Sequence, residues 1–153
     1  MSERSERRDR QALAWDSAAI RAGALVALVF AVPFSIAARV AADNDNRGLA
    51  TWLVLGAIVG FVVGAGCAAW QQQVGTPLSH GMVTAAGTYL AAQAVFVVVR
   101  LARSGTVNWF ALLFNLSFVL VAGVIGGLLG QRLQASGFQP SSRRRPGAPR
   151  QDP

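Results

Sequence analysis

From Asn46 to Gln151 the chain contains no carboxylate, and three of its four long apolar stretches fall inside that gap of 106 positions. Proton relays and cation sites within a membrane depend on ionisable groups placed there. A hydrolytic site needs a nucleophile, a base and a group that orients the base. Neither can be assembled from the last three stretches, so no catalytic residue, cofactor or metal is expected. Lysine is also absent, and all 14 basic residues are Arg. Cys67 is the single cysteine and lies in an apolar stretch, which excludes an internal disulfide and a multi-cysteine metal site. The single histidine, His80, has no Asp, Glu or Cys beside it and reads as a capping or interfacial residue rather than a ligand.

What is present is apolar. Hydrophobic residues make up 53% of the 153-residue chain and charged residues only 14%, a balance that a lipid-facing surface explains and a soluble domain does not. A hydrocarbon core about 30 Å thick requires roughly 20 helical residues, and charges should mark the ends of each crossing. Seventeen uncharged residues separate Arg21 from Arg39, placing a first span over about 18–40 with both guanidinium groups reaching outward. The later spans fall at about 49–69, 81–99 and 107–129, bounded by Arg47, by Trp70 with Gln71 to Gln73, by Arg100 and Arg103, and by Arg132. Each stretch is apolar around its whole circumference, which rejects a soluble bundle. The expected fold is an all-α, four-span transmembrane helical bundle over 18–131. A polar segment, 1–17, precedes it, and an Arg- and Pro-rich tail without apolar periodicity, 132–153, follows.

Ten Arg residues lie in the two tails and at the span ends that adjoin them, against four beside the first and third loops. Both termini should therefore be cytoplasmic. The Arg-only basic set and the abundance of Ala and Gly point to high-GC bacterial coding, hence a bacterial cell membrane. A net charge of +7 without aromatic platforms among the Arg residues suggests the lipid bilayer, and no specific nucleic acid, as the counter-charge. Arg143, Arg144 and Arg145 form a run that either contacts anionic lipid or serves as a topology signal.

Glycine spacing is the strongest local signal. Gly56, Gly60 and Gly64 recur every four residues on one face of the second span, and Gly123, Gly126, Gly127 and Gly130 crowd the fourth. Small residues at that spacing let helix backbones approach closely, either inside one bundle or at a seam between copies. A shift of 66 residues superposes Gly60 on Gly126 and Gly64 on Gly130, as a parallel duplication of a two-helix hairpin would.

Few polar residues are expected to be buried in the membrane: Ser35, Thr84, Thr88, Gln93, Asn115 and Ser117. Hydrogen bonds between facing helices would satisfy them. Alternatively, Gln93 and Asn115 line a polar path for a small solute. The loop from Asp43 to Gly48 begins like a calcium loop, but Arg47 stands at a ligand position and Val54 where the bidentate acid is required.

With four helices, short loops, glycine-dense second and fourth spans and the turn GTPLSHG at Gly75 to Gly81, the chain resembles small four-helix membrane proteins of uncharacterised function, especially those of actinobacteria. The resemblance implies location and fold, and it carries no active-site residue. Small multidrug exporters differ, since their first helix bears a membrane-embedded Glu that this first span lacks. The expected role is that of a non-enzymatic accessory or assembly subunit, partnered by another membrane protein or by itself. The alternative is an oligomeric channel or facilitator for a small uncharged or anionic solute.

Overall fold

In a computed structural model, which describes residues 15–138, four helices account for nearly all of that range. They are α1 (Ser17–Asp43), α2 (Arg47–Gln71), α3 (Pro77–Ala102) and α4 (Trp109–Ala135), each long and apolar enough to cross a membrane. The fold is an all-α four-helix bundle. The tail run Arg143 to Arg145 lies outside the described residues, as does the beginning of the N-terminal segment.

The helices begin where side chains can satisfy their first N–H groups. The Asp16 carboxylate accepts from the N–H groups of Ala18 and Ala19, Asn46 from that of Leu49, and Asn108 from that of Ala111. At α3 the fixed φ of Pro77 opens the helix, as suits a first helical position. Consequently Leu78 to Gly81, expected as part of a turn, are helical. Four crossings bring the start of α1, the α2–α3 connection and the end of α4 to one end of the bundle, the tail end. The other two connections lie at the opposite, hairpin end.

In cross-section α2 touches all three other helices, α3 does likewise, and α1 and α4 do not meet. Glycine sets these approaches. A Cβ placed on Gly60 would lie 2.6 Å from Phe30 Cβ, and one on Gly64 would lie 2.6 Å from Ala27 Cβ, so both face α1 together with Gly56, which backs onto the Phe34 ring. Across α2, Gly126 and Gly130 press against Val62, Ala65, Gly66 and Ala69, while Gly123 and Gly127 meet Gly81, Met82 and Leu78 of α3. All seven glycines thus serve packing within one chain. Gly60 faces the helix before its own, whereas Gly126 faces α2 rather than α3, so the 66-residue correspondence does not extend to equivalent packing.

Sequence reasoning expected the mid-span polar residues to bind helix to helix, and here the structure differs. Thr84 and Thr88 are buried with hydroxyls that find no partner among the described residues, and Ser117 bonds the Leu113 carbonyl of its own helix. Most of the side-chain bonds between helices lie at the tail end instead. The buried Gln72 turns its Oε1 toward the N–H groups of Val74, Gly75 and Thr76 at 2.8, 2.8 and 3.3 Å, closing the turn in which Gly75 takes φ +83°. Its Nε2 lies 3.3 Å from Gln134 Oε1 of α4. Gln134 Nε2 in turn donates to the last carbonyls of α2 and its cap, those of Ala69, Trp70 and Gln72. Two amides therefore serve the carbonyls that end α2 and the N–H groups that lead into α3.

His80 is the second surprise, being buried rather than interfacial. Its Nε2 accepts the Asp16 backbone N–H at 2.9 Å, and its Nδ1 lies 2.8 Å from the Thr76 carbonyl. A neutral ring protonated on Nδ1 satisfies both bonds at once, tying the start of α1 to the first turn of α3. Replacing His80 with Ala should cost about 2–4 kcal/mol through the cavity and the unpaired N–H. Thermal unfolding in mild detergent measures it, and an unchanged midpoint would show that the tie is not stabilising.

Candidate functional site

The bundle is closed at the tail end and open at the hairpin end. On α4, Asn115, Val119, Ala122 and Gly126 are spaced by four, three and four residues and so share one stripe. Val119 and Ala122 are 4% and 1% exposed and Gly126 is buried, yet Asn115 is exposed. The opposing stripe on α2 behaves alike: Val62, Gly66 and Ala69 lie against α4, whereas Leu55 is 45% exposed and Thr51 is open. Both helices run in the same direction, and Gly66 sits within van der Waals reach of Gly126. Eleven residues back along each, about 16 Å up the axis, stand Leu55 and Asn115. The stripes that meet at the glycines are exposed at this level.

The rest of the α3–α4 hairpin shows the same departure. No residue from Leu90 to Phe118 is buried, although the stretch includes half of α3 and the first third of α4. Phe110, Phe114 and Phe118 form an exposed ladder, the first pair stacked with ring centroids 6.0 Å apart and the second edge-to-face at 5.1 Å. Tyr89 marks the boundary. Its ring meets Phe61 edge-on, and its hydroxyl donates to the Leu112 carbonyl at 2.9 Å.

Asn115 and Gln93 both lie in this open half, Asn115 exposed and Gln93 half-buried. Among the described residues neither amide has a hydrogen-bond partner, and no bond joins one to the other. A single chain therefore brings them to the same region without making a lined path of them. In the packed half α2 and α4 meet closely at Gly66 and Gly126. His80, read from the sequence as a capping or interfacial residue, Gln72, read only as part of a span boundary, and Gln134, not singled out, are polar residues of the tail end. A residue just outside an apolar window carries no hydropathy signal, and only their grouping around the α2–α3 turn could have singled them out.

Comparison with known protein families, characterised proteins and solved structures finds no match, so the site is read from its own chemistry.

Proposed function

We propose that the chain is a non-enzymatic integral membrane subunit that assembles with another membrane protein through the open hairpin end. The observation that carries this reading is Asn115, an amide with no hydrogen-bond partner among the described residues, on a stripe that is otherwise a packed helix seam. An amide left unpaired in hydrocarbon costs several kcal/mol, and a partner helix laid along α4 would satisfy it. The exposed Phe ladder and Leu55 supply apolar area beside it. The distribution of Arg supports a bacterial cell membrane with both tails on the cytoplasmic side.

Extraction from native membranes in a mild detergent, by a tag on the C-terminal tail, tests the reading. The expected result is one other membrane protein in fixed stoichiometry. Asn115→Leu should lower its recovery by about threefold to thirtyfold, the range that one interhelical hydrogen bond commands. Recovery of the chain with itself alone, together with liposome flux that depends on Gln93 and Asn115, would replace this reading with that of an oligomeric channel.

A further inference from the structure

At the hairpin end α3 carries a stripe whose chemistry changes along its length. Phe96, Val99, Arg100 and Arg103 follow one another at helical spacing and, with Gly105, line an open groove of about 280 Å³. Phe96 and Val99 are 52% and 48% exposed, so the floor is apolar and uncovered. The Arg100 side chain lies over the Phe96 ring, 5.9 Å from its centroid, and its Nε donates to the Thr106 carbonyl, which holds the guanidinium at the rim. Arg103 is exposed, and among the described residues no carboxylate pairs with either guanidinium. At the same end of the bundle stand Asp43, which ends α1 and pairs with Arg39, and Asp45 of the α1–α2 connection.

Depth decides what such a groove takes. A helix of 26 residues is about 39 Å long and exceeds a hydrocarbon core of about 30 Å by some 4–5 Å at each end. Arg100 and Arg103 therefore stand at the level of the headgroups, and Phe96 about one turn lower, among the first acyl carbons. We infer that the groove binds a phospholipid with an anionic headgroup, its phosphate between Arg100 and Arg103 and the start of one acyl chain along Val99 and Phe96. The order from cation to apolar surface along the membrane normal matches that of the lipid. The planar guanidinium group suits a phosphate through paired N–H donors. The site is independent of the assembly surface at Asn115 and stands if that reading fails.

The test is titration of the purified full-length chain, in a zwitterionic detergent, with dioleoylphosphatidylglycerol or dioleoylphosphatidylcholine, bound lipid being counted by native mass spectrometry. One phosphatidylglycerol should be retained in preference to phosphatidylcholine. The double variant Arg100→Gln/Arg103→Gln should weaken it by about thirtyfold. Phe96→Ala should weaken it by several-fold, whereas Arg143→Gln/Arg144→Gln/Arg145→Gln should leave this one site unchanged. Phe96, Arg100 and Arg103 are exposed and lie outside the packed core, and unaltered helicity checks each variant. Equal retention by the Arg100/Arg103 variant would overturn the proposal. So would complete displacement by water-soluble glycerol 3-phosphate together with indifference to Phe96→Ala, which would mark a site for a small free anion.

Discussion

Gly64→Leu is expected to abolish the folded bundle, whereas Gly87→Ala, on α3, is expected to strengthen it slightly. A Cβ at Gly64 would sit 2.6 Å from both Ala27 Cβ and the Gly23 carbonyl oxygen, and 2.8 Å from Ala27 N. Every one of those neighbours is backbone or the first atom of a side chain, so none can swing aside. Overpacking a core by a methylene or two costs about 1–3 kcal/mol, and a leucine driven against backbone on the facing helix should exceed that range. The α1–α2 pair would separate, and with it the central helix of the fold. At Gly87 an added Cβ meets nothing within 4 Å, and the residue is exposed. There the substitution should gain about 0.5–1 kcal/mol from helix propensity alone. Accumulation in the membrane and thermal unfolding in micelles give both results. A Gly64→Leu protein that melts like the parent would contradict the close approach of α1 and α2.

Gln72→Leu should have the next largest effect, a loss of about 2–4 kcal/mol. Each buried polar group left without a partner costs about 1–3 kcal/mol, and water at the end of the bundle recovers part of the total. The substitution orphans the N–H groups of Val74, Gly75 and Thr76 and removes the donor to Gln134. Gln72→Glu separates these roles. A carboxylate accepts the three N–H groups at least as well, yet it cannot donate to Gln134 Oε1 and would face it with a second acceptor. The Glu variant should therefore fall between wild type and Leu in thermal stability. If Leu and Glu were equally harmful, the bond to α4 rather than the closing of the turn would be the main contribution.

The fold was legible because its physics is one-dimensional. Runs of about 20 apolar residues bounded by Arg, Trp and Gln can only be helices in lipid, and the Gly60–Gly64 and Gly126–Gly130 spacings mark close packing in the sequence itself. The direction each glycine faces was not legible, because a stripe on a wheel does not name its neighbour. Gly23, which meets Gly64, was not singled out, and Gly81, which meets Gly123, was read as the end of a turn, since neither belongs to a repeating set. Of the candidate site, the identity of Asn115 and Gln93 was readable and their environment was not. Burial at Asn115 depends on where α4 parts from α2, a property of the packed halves below it. Likewise His80 looked like a surface residue because the chain that covers it, at Asp16, lies 64 positions away.

The measurement that bears most directly on the assembly reading is site-specific photocrosslinking in native membranes. A crosslinking residue would be placed in turn at position 115 and at Val121, which is 58% exposed on the closed half of the same helix. The expectation is a discrete protein adduct from position 115 and lipid alone from position 121. Adducts to lipid alone from both positions would contradict the reading of the hairpin end as an assembly surface.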